Sequence, residues 1–266
     1  MKLICPICGN ELNQMSKSYC CENQHSFDIA RQGYVNLLTV QQKHSLVPGD
    51  TREQVLSRRA FLEEGFYRPI ADTLLETARR YGVSGELLDV GCGEGYYCSI
   101  LSHGLSMTLT GLDISKEAVR CAAAKYKGPT WICGTAAHIP AADHSADLLT
   151  SLFALTMPEE FRRVLRQDGY FFQVLAAQDH LMGLKQIIYD QILLKEKDSQ
   201  PEIPGFQKIE SIPIRFSFRV EGQQVQNLLS MTPHLFRMGK EGAQRLKQTD
   251  ALTDTASCML NVYRPL

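Results

Sequence analysis

Residues 87–97, with the sequence LLDVGCGEGYY, decide the fold of this chain. A short apolar run, typical of a buried strand, ends at Asp89, and three glycines follow at alternate positions, Gly91, Gly93 and Gly95. Glycine permits positive φ and lets a ligand approach the backbone closely. The N–H groups that open the next helix have no partner within that helix. The stretch therefore predicts a strand, a ligand-binding loop and a helix.

The kind of ligand is indicated by Glu94, which lies inside the loop. A dinucleotide-binding loop has the spacing G-x-G-x-x-G and holds a pyrophosphate, whereas this loop reads G-x-G-x-G. A carboxylate would repel a pyrophosphate but would suit a ligand that carries an ammonium and a sulfonium group. Asp113 ends the next predicted strand, where an acid can accept both hydroxyl groups of a ribose. NAD binding and a glycine-rich turn without a ligand are the alternatives.

The chain on either side of the loop alternates between short apolar strands and amphipathic helices. Such alternation is typical of a mainly parallel, doubly wound α/β sheet. Strands near 212–220 and 256–263 are expected to complete the sheet, and the segment of about 221–250 is expected to be helical and looped. Thr135 and Ala136 follow the third strand, where main-chain groups could recognise an adenine.

Composition limits the class of protein. The chain has 266 residues, 44% of them apolar, and a formal net charge of −1, which excludes a disordered or fibrous chain and gives no general sign of a nucleic-acid partner. We find neither an apolar run of about 18 residues nor a signal peptide, and so expect a cytoplasmic protein. Nine cysteines, an odd number, in a reducing compartment argue against a disulfide framework.

Four of the cysteines are clustered before residue 22. Cys5 and Cys8 form a C-x-x-C pair, and Cys21 precedes His25 by four positions. Two short loops that together offer four S and N ligands predict a closed, structural zinc site. Cys20 competes with Cys21, but adjacent residues on a strand point to opposite sides, and Cys21 gives the shorter loop to His25. Scattered buried cysteines with a surface histidine are the alternative.

Three segments follow from these patterns. Residues 1–38 are predicted to form a zinc ribbon, 39–50 a polar linker with a Pro-Gly turn signal, and 51–266 the α/β domain. Fewer than 40 residues cannot build a sufficient core alone, so a metal is a reasonable source of stability for the ribbon.

Several segments together resemble a known family, the RlmA-type 23S rRNA (guanine-N1)-methyltransferases, which include macrolide-resistance relatives. The similarity covers nearly the whole chain. It is carried by CPIC at 5–8, HSFDIARQGYVNLL at 25–38, PGDT at 48–51, RRAFLEEGFYRP at 58–69, the loop at 87–97, GLDIS at 111–115, DHLMGLK at 179–185 and LLSMTPHLFR at 228–237.

The resemblance implies a class I S-adenosylmethionine (SAM)-dependent methyltransferase with a Rossmann-like sheet and an N-terminal zinc ribbon that recognises RNA. It implies methylation of N1 of a guanine in a 23S rRNA hairpin by a homodimer, with SAM and one structural Zn²⁺ as cofactors. It places zinc on Cys5, Cys8, Cys21 and His25. The expected SAM-binding residues are Tyr67, Asp89, Gly91, Gly93, Glu94, Gly95, Tyr96, Asp113, Thr135, Ala136 and His180.

The sequence does not name the group that removes the N1 proton, although Asp179 and His180 are candidates. In one departure from the family pattern, Leu155 replaces a proline that usually follows the fourth strand. Two other functions compete with rRNA methylation. One is a small-molecule SAM methyltransferase, which would have no use for the ribbon. The other is an RNA-binding module that has lost methyl transfer.

Overall fold

A computed structural model describes residues 1–43, 45, 48–192 and 198–266. The helices are α1 (Arg52–Glu63), α2 (Arg68–Arg80), α3 (Tyr96–Leu105), α4 (Lys116–Lys125), α5 (Pro158–Val164), α6 (Met182–Ile188), α7 (Gln223–Ser230) and α8 (Lys240–Lys247), with 3-10 turns at Val40–Gln42 and Pro233–Phe236. The strands are β1 (Asn13–Gln14), β2 (Ser18–Cys20), β3 (Ser26–Asp28), β4 (Tyr34–Asn36), β5 (Glu86–Val90), β6 (Thr108–Asp113), β7 (Thr130–Cys133), β8 (Ala146–Leu152), β9 (Leu165–Ala176), β10 (Phe206–Glu221) and β11 (Ala251–Pro265).

The large sheet has the strand order β10-β11-β9-β8-β5-β6-β7-β4. The strands from β4 to β9 pair in parallel, whereas β11 pairs antiparallel with both β9 and β10. The chain order therefore reverses at β5, which lies between β6 and β8. Ligands of doubly wound sheets bind outside the carboxyl ends of the strands at such a reversal, and the glycine loop begins there. The predicted α/β sheet is confirmed.

The antiparallel edge and the segment between its strands also agree with the prediction. Fifteen pairs of residues join β10 to β11, from Phe206–Pro265 to Glu221–Ala251. The intervening residues form α7, the turn at Pro233–Phe236 and α8.

The N-terminal segment forms a three-stranded antiparallel sheet of β1, β2 and β3. It is attached to the large domain by a bridge between Leu3 and Ala141 and by a 3.1 Å hydrogen bond from the Ile4 N–H to the Pro140 carbonyl. Leu3 is buried in one apolar cluster with Leu88 of β5. The small sheet and the large domain thus share a core.

The last part of the segment predicted as the ribbon, residues 1–38, contributes one strand to the large sheet. β4 lies in the large sheet as its edge strand, where Tyr34, Val35 and Asn36 pair in parallel with β7. Burial explains this position, because Tyr34 and Val35 are 5% and 1% exposed and pack on the sheet. The three-stranded sheet ends at Asp28, and β4, within the same predicted segment, extends the large sheet.

No helix in the described part of the chain is both long and apolar enough to cross a membrane.

Candidate cofactor cavity and metal centre

A cavity of about 1190 Å³ opens at the carboxyl ends of the parallel strands. Nine of the eleven residues predicted to bind the cofactor line it: Tyr67, Asp89, Gly91, Gly93, Glu94, Asp113, Thr135, Ala136 and His180. Gly95 and Tyr96 are not among the cavity-lining residues in the part of the chain that the structure describes. Gly95 instead begins α3 with φ +85°, where a Cβ would lie 2.6 Å from the buried Trp131 ring. Tyr97 lines the cavity in place of Tyr96.

The glycine loop is held by the neighbouring strand. The N–H groups of Gly91 and Cys92 donate to the Leu112 carbonyl at 2.8 and 3.1 Å. Gly91 has φ +79°, and a Cβ there would lie 2.6 Å from the Cβ of Ala154. A side chain at this position would therefore be strained and would crowd the segment after β8.

Two carboxylates organise the strand ends. Asp113 accepts hydrogen bonds from the N–H of Gly93 at 2.9 Å and from the N–H of Ser115 at 2.7 Å. Burial raises its pKa, and these two backbone donors oppose the rise. Asp89 accepts a 2.6 Å hydrogen bond from the Thr150 hydroxyl, and burial raises its pKa to about 6. Asp89 therefore links β5 to β8 and also forms part of the cavity wall.

The third carboxylate, Glu94, lies beside an ion pair that the sequence did not predict. Glu94 is 4% exposed, and burial raises its pKa to about 7, although the nearby Arg58 guanidinium lowers it. Arg58 pairs with Asp50. The carbonyl of Asp50 accepts a 2.7 Å hydrogen bond from the Ser115 hydroxyl, and Gly49 lies against Ser115. The predicted linker therefore ends as part of the cavity wall.

Aromatic side chains form another part of the wall. Tyr67, immediately before α2, is 4% exposed, and its ring centroid lies 6.3 Å from that of His180. The His180 ring is held at Nδ1 by the backbone of Ser257, whose carbonyl oxygen and N–H nitrogen lie 3.1 and 3.2 Å away. Phe153 has φ +55°, and its ring centroid lies 6.1 Å from that of His180. Leu155, in the place of the family proline, also lines the cavity and is 78% exposed.

Asp179, the other candidate base, pairs with Arg215. This acid is not among the cavity-lining residues in the described ranges. Asp179 is therefore poorly placed to act on a ligand.

The cavity extends beyond the predicted site to the C-terminal end of α6 and the turn after α7. Lys185, Tyr189, Met231, His234 and Arg237 line this part. Sequence reasoning assigned no function to Tyr189 or His234, although His234 lies within one of the segments that carried the resemblance. The signal available was the sequence TPH, a proline-initiated turn bearing a histidine.

The four predicted zinc ligands come together in the structure. The ligand atoms of Cys5, Cys8, Cys21 and His25 all lie within 4.8 Å of one another. The Sγ atoms of Cys8 and Cys21 are 3.7 Å apart, which matches the edge of about 3.8 Å expected for a tetrahedron with Zn–S bonds of ~2.3 Å. The residues present thus fit a zinc ion.

Cys20 is directed elsewhere. Its Sγ lies 3.4 Å from the Ser26 hydroxyl and 3.6 Å from the Ser18 hydroxyl. Cys21, which directly follows β2, therefore lies with the other three ligands, and Cys20 does not.

Two family models match this chain. The model described as RlmA, N-terminal matches residues 3–46. The model described as Methyltransferase domain matches residues 88–173, which include the glycine loop and the strands up to β9.

Curated relatives match over nearly the full length. The 23S rRNA (guanine(748)-N(1))-methyltransferase of Streptomyces fradiae is 31% identical, over 99% of this chain and 97% of the relative. A protein of Micromonospora griseorubida, provisionally named as a 23S rRNA (guanine-N(1)-)-methyltransferase, is also 31% identical, with the same coverage of each chain. Among solved structures, phosphoethanolamine N-methyltransferase 2 of Haemonchus contortus with bound S-adenosyl-L-methionine is 15% identical, with a TM-score of 0.47 over 81% of this chain and 58% of that chain.

Proposed function

The chain belongs to the family of RlmA-type 23S rRNA (guanine-N1)-methyltransferases, and on that premise we propose that it methylates N1 of a guanine in a 23S rRNA hairpin. It is a SAM-dependent class I methyltransferase with a structural zinc ion. The observation that carries the proposed substrate is the 31% identity to the Streptomyces fradiae enzyme, which extends over both the ribbon and the methyltransferase domain.

The cavity fits SAM by the chemistry of its walls. Asp113 lines the cavity at the end of β6, where we place the ribose, and Thr135 and Ala136 line the part where we place the adenine. Glu94, close to the glycines, suits the positive charges of the ligand. When bound, SAM supplies a methyl group on a positively charged sulfur.

The protein's own part in the reaction is chiefly to align the guanine and exclude water. The target base must leave its helix or lie in a loop before it can enter the cavity. The exposed Phe153, next to His180, offers a flat apolar surface at the mouth for that base. The exposed Arg237 offers positive charge for the flanking phosphates.

The remaining assignments are proposals that rest on the family resemblance. We propose that the zinc ribbon recognises the rRNA hairpin, with residues 1–38 as ribbon, 39–50 as linker and 51–266 as catalytic domain. The eleven SAM-binding residues and four zinc ligands predicted from the sequence belong to this proposal. The proposal also includes a homodimer, action in the cytoplasm, and methylation that lowers the sensitivity of ribosomes to macrolides.

Incubation with methyl-labelled SAM and unmodified 23S rRNA tests the proposal. We expect label in the RNA and one new stop in primer extension, because a methyl group on N1 blocks Watson–Crick pairing. Absence of label while the RNA is still bound would favour an RNA-binding module. Label confined to small molecules added from a cell extract would favour a small-molecule methyltransferase.

A further inference from the structure

Tyr189 and His234 form a hydrogen-bonded pair in the part of the cavity that the predicted SAM site does not use. The Tyr189 hydroxyl lies 2.8 Å from Nδ1 of His234, and the two rings meet edge to face with centroids 5.5 Å apart. Both residues line the same cavity as Gly93 and Asp113. A cavity of about 1190 Å³ exceeds the ~300–1,000 Å³ typical of a site for one small molecule, so it has room for a target base beside the cofactor.

Both partners are held by their backbones. Tyr189 directly follows α6, in whose first turn the N–H groups of Gly183 and Leu184 donate to the Asp254 carboxylate at 3.0 and 2.7 Å. At the other end of α6, the Arg245 guanidinium donates to the Ile187 carbonyl at 2.6 Å. These contacts hold the helix that precedes Tyr189.

Hydrogen bonds also hold the backbone of the turn that carries His234. It lies in the 3-10 turn that Pro233 initiates, and its carbonyl accepts hydrogen bonds from the N–H groups of Arg237 and Met238, both at 3.0 Å. The Thr232 hydroxyl donates to the Leu229 carbonyl at 2.9 Å and secures the start of the turn. A pair fixed on two separate elements is preorganised for a role at a bound ligand.

The reaction needs a group that accepts the proton of guanine N1, and an imidazole is well suited to it near neutral pH. When Nδ1–H donates to the Tyr189 oxygen, the ring carries its acceptor lone pair on Nε2.

We propose that His234 is the base that accepts the N1 proton of the target guanine and that Tyr189 is the positioning residue that orients its ring, an assignment that rests on the proposed function. The proton moves from N1 to Nε2. The N1 electron pair forms the bond to the methyl carbon, and the electrons of the methyl–sulfur bond remain on sulfur. The imidazolium then releases its proton to solvent.

The charged groups around His234 bear on its pH dependence. Lys185 and Tyr189 approach from α6, beyond which Asp190 pairs with Arg245 of α8 at 2.9 Å. Arg237 belongs to the turn itself, and the sequence of α7 contains no charged residue. Asp198 also lines this cavity, so side chains of both signs of charge belong to its wall.

The test measures single-turnover methylation of an unmodified 23S rRNA transcript from pH 6 to 9. The variants are His234→Gln and Tyr189→Phe, with His103→Gln, an exposed histidine on α3, as the matched control. We expect His234→Gln to be slower by about a hundredfold or more at pH 7 and to gain about tenfold per pH unit, as solvent replaces the base. Tyr189→Phe should lose about tenfold, and the control should match the wild type.

Two further readouts separate a base from a structural histidine. Added imidazole should partly restore His234→Ala, while SAM affinity measured by calorimetry stays within twofold of the wild type. In the NMR spectrum of ¹³C-histidine-labelled protein, Tyr189→Phe should shift the titration of the His234 signal. A wild-type rate and pH profile in His234→Gln would overturn this assignment alone. Absence of label in the wild type would overturn the proposed function and this assignment with it.

Discussion

Replacement of Glu94 by glutamine should make the SAM-free protein more stable than the wild type at high pH, and it should weaken SAM binding. Glu94 is 4% exposed and lies in the cavity wall, near the guanidinium of Arg58. Burial raises its pKa from 4.5 to about 7. The folded protein therefore ionises Glu94 at a cost that the unfolded chain does not bear.

The sign and size of the effect follow from that shift. A carboxyl group whose pKa is raised by folding contributes its stability below the unfolded value of 4.5, and this contribution is lost as the pH rises through about 7. At about 1.4 kcal/mol per pKa unit, the wild type should lose about 2.5 kcal/mol of unfolding free energy from this group between pH 5 and pH 8. The Glu94→Gln variant should lose none of this free energy, because glutamine does not ionise.

Urea denaturation of both proteins at pH 5 and pH 8, without SAM, measures this difference. Other titrating groups are common to both proteins and cancel in the comparison. Glu76→Gln, an exposed position on α2, is the matched control and should follow the wild type. Equal losses of stability in wild type and Glu94→Gln, to within ~0.5 kcal/mol, would refute the reasoning. Calorimetry should also show weaker SAM binding by Glu94→Gln at pH 8.

Three further outcomes follow from the structure. Gly91→Ala should destabilise the fold more than Gly93→Ala in urea titrations. The added Cβ at position 91 would lie 2.6 Å from Ala154, whereas at position 93 the nearest atom is 3.8 Å away. Equal losses of stability would contradict this. Removal of zinc by a chelator should raise amide hydrogen exchange across residues 3–28 but not across residues 34–36, which pair with β7. An equal rise across both segments would contradict this expectation. Binding of 23S rRNA should weaken steeply with salt in filter-binding assays, whereas SAM binding should not.

Local patterns predicted much of the fold and of both sites. The glycine loop and the alternating strands and helices depend on residues close in sequence, and so does the C-x-x-C pair. The choice of Cys21 over Cys20 followed from strand alternation. In each case the chemistry of a short segment determines its structure.

The features that sequence reasoning missed depend on distant contacts. β4 has three residues and gains its place by pairing with β7, almost a hundred positions later. Asp50 reaches the cavity because Ser115 and Arg58 hold it there. Tyr189 and His234 are 45 positions apart. No pattern of neighbouring residues predicts these contacts, because they form only when the whole sheet packs.

The position of the methyl group on the product nucleoside tests the central claim most directly. Unmodified 23S rRNA is incubated with the protein and methyl-labelled SAM, digested to nucleosides and separated by chromatography with mass detection. We expect the label to co-elute with 1-methylguanosine. Label in another methylated nucleoside, or no labelled nucleoside, would contradict the assignment of this chain as a guanine-N1 methyltransferase.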